Sequence, residues 1–126
     1  MKKLILITVL LFSAVILYAQ NIVYANKVSR GIWDEYKQEY SWQPFQTTSP
    51  IKIYVKSNVL LIFDAAKSFY TMLEAGHVKK YEDGTANIWS AMDEKNRKCE
   101  VKFVTYKTGT HVIIVSYSDN AFMYVI

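Results

Sequence analysis

The sequence predicts an all-β domain: a single antiparallel meander of about seven to nine short strands forming a small barrel or sandwich, behind an N-terminal signal peptide. Three observations carry this reading. Apolar and polar residues alternate with period two in several short runs, turn-forming residues separate those runs, and the connections are too short for parallel crossovers. The 126 residues are 52% hydrophobic and 15% aromatic, with four Gly and two Pro, so there is enough apolar surface to offset the entropy of ordering one core.

Met1-Lys2-Lys3 precedes an apolar run from Leu4 to Leu17 that only Thr8 and Ser13 interrupt, and Tyr18-Ala19 follows. A basic start, a short apolar stretch and a small residue form the three-part pattern of a secretory signal peptide, residues 1–19. Cleavage after Ala25 is the alternative, because Val23-Tyr24-Ala25 fits the small-x-small rule better than Leu17 does. The run is shorter than the roughly 20 residues of a spanning helix, so no permanent membrane anchor is expected. The expected location is secreted or periplasmic, with residues 20–126 as one exported β domain. Removing residues 1–19 leaves 107, with 13 basic and 11 acidic residues, a net charge of +2.

Along the mature chain, Ile51 to Lys56 alternates and places Ile51, Ile53 and Val55 on one face. Ser57-Asn58 turns the chain into the apolar run Val59 to Phe63, and Asp64-Ala65-Ala66-Lys67 turns it again before Ser68 to Leu73. Glu82-Asp83-Gly84 carries the Asp-Gly pair of tight hairpins and leads into Thr85 to Met92. After Asp93-Glu94-Lys95-Asn96 come Arg97–Tyr106, Thr110–Tyr117 and Asn120–Ile126. Between Val28 and Phe45 the spacing of Ile32, Trp33, Tyr36 and Tyr40 also suits a helix. The aromatic content, with Pro44 and Pro50, favours two strands around Lys37-Gln38.

The C-terminal hairpin has a predicted register. A three-residue turn, Lys107-Thr108-Gly109, pairs Tyr106 with Thr110, so Val101 faces Val115 and Phe103 faces Ile113. In that register His111 lies opposite Thr105, six residues from Cys99, or on the order of 20 Å along the strand. That separation excludes a Cys–His catalytic pair within the hairpin, and Cys99 is expected as a small buried hydrophobe.

Other chemistries lack their residue patterns. Two histidines and one cysteine, widely separated, give neither zinc spacing nor an internal disulfide. No G-x-S-x-G and no glycine-rich phosphate loop occurs. The acidic pairs Asp34-Glu35, Glu82-Asp83 and Asp93-Glu94 sit in or near turns, where adjacent residues diverge. The basic clusters have acidic neighbours, so no nucleic-acid partner is expected. No cofactor is expected either.

The aromatic residues carry the functional expectation. Tyr and Trp favour ligand walls and interfaces where one end stays wet. Tyr40 and Trp42 would form a ladder on one strand face, and Tyr54 would stand semi-exposed between Lys52 and Lys56. Trp89 faces Val101 in the core with a three-residue turn at Glu94–Asn96, or Glu100 on the charged face with a four-residue turn. Gly31-Ile32-Trp33 resembles the G-x-W signature of the first lipocalin strand, in a family of secreted barrels that carry small apolar ligands. The likeness covers those three residues, and the lipocalin threonine–aspartate–tyrosine loop and the arginine after the last strand are absent. It implies a barrel and adds Trp33 to the candidates. The expected function is non-catalytic binding of a small apolar or sugar-like ligand through Trp33, Tyr40, Trp42, Tyr54 and Trp89. The alternative is a protein-binding or inhibitor domain acting through an aromatic face or strand edge.

Overall fold

The computed structural model describes residues 22–56, 58–64, 67–73 and 76–126; the expected signal peptide lies outside them. Ten strands follow one another: β1 (Ile22–Asp34), β2 (Glu39–Trp42), β3 (Gln46–Lys56), β4 (Val59–Phe63), β5 (Ser68–Met72), β6 (His77–Tyr81), β7 (Gly84–Asp93), β8 (Lys98–Tyr106), β9 (His111–Ser116) and β10 (Asn120–Val125). All pairings are antiparallel, in the order β10-β9-β8-β7-β5-β4-β3-β1, and β1 pairs back onto β10. Eight strands therefore close into a barrel rather than a sandwich. The remaining two extend the wall as hairpin arms, β2 on β1 and β6 on β7. Ten strands is one more than the upper expectation.

The segment 28–45 resolves as two strands, not a helix. Asp34 makes the reversal: its Oδ1 accepts the N–H groups of Tyr36 at 3.0 Å and Lys37 at 3.2 Å, and its carbonyl accepts that of Gln38 at 2.8 Å. Gln38 adopts the left-handed conformation that ends the turn, with φ 54°.

The barrel interior is a filled apolar core. Ile53, Leu60, Ile62, Val101, Ile113 and Val115 are fully buried, one set from each side of the wall. The predicted C-terminal register holds: Val101 pairs with Val115, Phe103 with Ile113 and Thr105 with His111. Tyr106 N–H donates to Thr110 at 2.9 Å, and Gly109 supplies the positive φ of 95°. The following loop question is also settled, since Trp89 pairs with Val101. A three-residue turn, Glu94–Asn96, connects β7 to β8, closed by the Asp93 N–H on the Arg97 carbonyl at 3.0 Å.

One irregularity reassigns faces. Between Ala25 and Lys27 the β1–β3 register shifts, with Thr48, Ser49 and Pro50 of β3 set against Asn26 alone. A bulge is where a strand tolerates proline, because no ladder N–H is required of it. Val23 and Ala25 point into the core before the shift, and Val28 does so after it. Beyond the bulge Val28 and Arg30 share the face of Tyr124 and Phe122 across the seam, Val28 against the core and Arg30 exposed at the mouth. Gly31 and Trp33 face outward.

Val101→Asp would bury an unpaired charge at the barrel centre. We expect it to abolish cooperative folding, read as loss of the thermal transition by circular dichroism. A soluble, cooperatively folded variant would overturn the assignment of the inward face.

Candidate functional site

The predicted aromatic ladder exists and lies on the outer face of the β1–β2 arm. Trp33 pairs across the strands with Tyr40, and Gly31 with Trp42. The Trp33 and Tyr40 rings meet edge to face at 5.1 Å, and Tyr40 and Trp42 are 5.8 Å apart. The Trp42 ring lies so close to Gly31 that a Cβ there would stand 2.9 Å from its Cε3. The glycine of the G-x-W triplet therefore provides space for a ring from the neighbouring strand. The Tyr40 hydroxyl donates to the Tyr117 carbonyl, which ties the ladder to the end of β9.

The other two candidates lie apart from it. Tyr54 is half-buried on the outer face of β3, between Ile22 and Leu61. Trp89 packs against the barrel core, and its indole N–H is buried without a hydrogen-bond partner among the described residues. Of the nucleophile and base candidates, His111 Nδ1 lies 3.1 Å from Thr105 Oγ1, and Cys99 pairs with Ala91. Among the described residues no group of three His, Cys, Asp or Glu could hold a metal ion.

Antiparallel order puts the β4–β5, β7–β8 and β9–β10 turns at one end of the barrel, where β1 also finishes. Two polar features that sequence reasoning missed occupy this end. The first is Asp93, one of two buried polar or charged residues among those described. Its Oδ1 accepts the N–H groups of Lys95 at 2.9 Å and Arg97 at 2.8 Å; its Oδ2 accepts Arg97 Nε and the Tyr117 hydroxyl, each at 2.8 Å. The Arg97 guanidinium also sits 5.0 Å from the Tyr117 ring centre. Burial alone would raise the Asp93 pKa, but these four donors outweigh it and hold the carboxyl at about 2. Burial first, then donation to Asp93, pushes the Tyr117 phenol well above its ordinary range. Burial, with Asp93 nearby, pushes the Cys99 thiol up to about 11. In sequence Asp93-Glu94 looks like any solvated turn pair; the signal was Asp93 followed by Arg97 across a tight loop.

The second feature is a cavity of about 300 Å³ between β1, β10 and the Gln43–Gln46 bend. Val28, Ile51, Phe122 and Tyr124 form its apolar walls, and Arg30, Gln43, Gln46 and Asp64 bring polar groups to it. Arg30 is set against Phe122 by the β1–β10 register, with its guanidinium carbon 5.8 Å from the ring centre. The Tyr124 phenol is raised, by burial first and also by its hydrogen bond to Asp64. The bend is braced by the Ser29 hydroxyl on the Gln43 carbonyl and by Gln43 N–H on the Arg30 carbonyl at 2.8 Å. None of the five aromatic candidates lines this cavity. Phe122 and Tyr124 do, and their period-two spacing on the last strand was the available signal.

The Asp93 cluster makes stability pH-dependent. A carboxyl held below its ordinary pKa of 3.8 contributes stability that is complete above that value and is lost as pH falls from about 4 towards 2. Asp93→Asn should flatten this acid limb and lower stability at pH 7 by about 2–4 kcal/mol, measured by denaturant titration at each pH. An unchanged acid limb would remove Asp93 from this role. Cys99 should react with a thiol reagent at pH 8 roughly a hundredfold more slowly than an unperturbed thiol; labelling at the free-thiol rate would contradict its environment. No known protein family, curated protein or solved structure matches this chain.

Proposed function

We propose that this protein is a non-catalytic, exported binding barrel that holds a small ligand, apolar over most of its body, in the mouth cavity. The observation that carries the reading is that cavity. At about 300 Å³ it falls at the lower end of the range for small-molecule sites. It also has their composition, with apolar and aromatic walls and a few polar groups to fix orientation. Eight strands enclose an interior just wide enough for side chains or for one small ligand. Here side chains fill the middle and leave the end open. The aromatic contribution comes from Phe122 and Tyr124, with the outer ladder bracing the mouth through Tyr40.

Export is part of the proposal. β1 begins at Ile22, so cleavage after Ala19 would leave the wall complete. Cleavage after Ala25 would remove Val23 and Ala25 from the core. A specific observation also favours a second reading. The β1–β2 arm ends in a fully exposed Tyr36 and presents exposed Ile32 and Trp42, and β2 pairs only with β1 among the described residues. Such an edge suits strand addition by a protein partner.

Native mass spectrometry of the protein purified from its own exporting cell should show a retained small molecule and a chain beginning at Gln20. A co-purified protein in its place would favour the second reading. The anionic dye anilinonaphthalene sulfonate should bind once per chain. Val28→Phe, which fills the cavity from its wall, should weaken that binding at least tenfold with the circular dichroism spectrum unchanged. Equal dye binding by the folded variant would overturn the cavity as the site.

A further inference from the structure

We propose that the outer wall over β1, β3, β4 and β5 is a docking surface for an anionic lipid membrane. The proposal is independent of what the mouth cavity holds.

Antiparallel strands with one face on a core ordinarily carry polar residues on the other. β4 departs from this rule. Leu60 and Ile62 fill the barrel, and the outward residues Val59, Leu61 and Phe63 are apolar as well. Pairing extends this surface sideways. Leu61 lies between Tyr54 and Phe69, and Tyr54 pairs with Ile22, which gives one row of four apolar side chains across four strands. The row Tyr24–Lys52–Phe63 runs beside it. Tyr24, Phe63 and Phe69 are exposed, at 54%, 41% and 39%. Single apolar residues on a surface are ordinary, whereas a contiguous patch marks a wall that another body covers.

Charge chooses the partner. Lys52 and Lys56 are exposed on the same face of β3, one on either side of Tyr54. Neither makes an ion pair among the described residues, and the Lys52 ammonium lies 5.8 Å from the centre of the Phe63 ring. β3, β4 and β5 contain no acidic residue. Glu94 approaches only at the edge, from the β7–β8 turn, where it accepts the Phe69 N–H at 3.3 Å. The patch is therefore apolar and aromatic with uncompensated positive charge, the composition of a membrane-interface surface. Its rings enter the headgroup boundary, and the lysine stems lie on apolar surface while their ammonium groups reach lipid phosphates. The backbone argues against a protein here. β3 and β4 each pair with a strand on either side, so the middle of the patch offers no edge for strand addition. A protein interface also carries about one hydrogen bond per 100–200 Å², and the central row has a single hydroxyl, that of Tyr54. A lipid surface requires no directional bonds.

Flotation with lipid vesicles tests the proposal on the protein purified from its own exporting cell. Vesicles of equimolar phosphatidylcholine and phosphatidylglycerol should bind it roughly tenfold or more tightly than vesicles of phosphatidylcholine alone, as two lysines near an anionic surface imply. Molar salt should remove that excess. The paired substitutions Lys52→Gln and Lys56→Gln should reduce binding to the phosphatidylcholine level. Phe63→Ser with Phe69→Ser should weaken binding to both vesicle types. Thermal unfolding confirms that each variant is folded, and the lysine variant carries the test alone if the phenylalanine variant does not fold. Equal binding to the two vesicle types, no binding to either, or unchanged binding by the folded lysine variant would overturn the docking surface. A dimer in sedimentation that the phenylalanine substitutions dissociate would overturn it too, with a second copy of the chain as the body that covers the wall.

Discussion

Closure of the sheet through the β1–β10 seam is the constraint on which the rest depends. Lys27 to Ile32 pair with Val125 to Asn120, and this ladder removes the two edges that an open eight-stranded wall would expose. Closure also fixes the inner faces against one another. Val28 comes opposite Tyr124, and Arg30 opposite Phe122, because the seam allows one register only. The cavity is a consequence of that pairing combined with the bend at Gln43–Gln46, where the β1 partner strand breaks and Pro44 takes the chain outward.

The barrel is unequal along its axis. Its middle is packed with branched aliphatic side chains, and polar groups gather at the end that carries three turns and the β1–β2 arm. There, Asp93 organises the β7–β8 loop and holds Tyr117, and Tyr117 accepts the Tyr40 hydroxyl through its carbonyl. A loop, a strand end and an outer arm are thus tied to one carboxylate.

Burial by itself does not mark function here. Trp89, a prominent aromatic in the sequence, serves the core, while the Trp33–Tyr40–Trp42 ladder is largely occupied with its own rings and the wall beneath. The residues around the cavity are chemically ordinary one at a time. What brings them together is the fold: Arg30 comes from β1, Asp64 from the β4–β5 turn, and Phe122 and Tyr124 from β10.

The strands, most of the turns and the register of the C-terminal hairpin were legible in the chain before any folding was known. The physical reason is local: period-two alternation with one buried face, plus a glycine at the left-handed position of the Lys107–Gly109 turn, allows one pairing of Val101 and Phe103 with their partners. Two strands in the segment 28–45 were legible in the same way, from aromatic content and proline positions. Which side of β1 looks inward was set by packing between strands, since the bulge at Ala25–Lys27 depends on surplus residues in β3, a strand more than twenty positions away. That one shift sends Arg30 to the cavity and Trp33 to the outer face, opposite to what alternation continued from Val23 and Ala25 would give. Asp93 before Arg97 and the period-two pair Phe122 and Tyr124 were signals the chain carried locally, whereas the convergence of β1, β3 and β10 around the cavity was hidden, because contacts between distant strands leave no local mark in the chain that makes them.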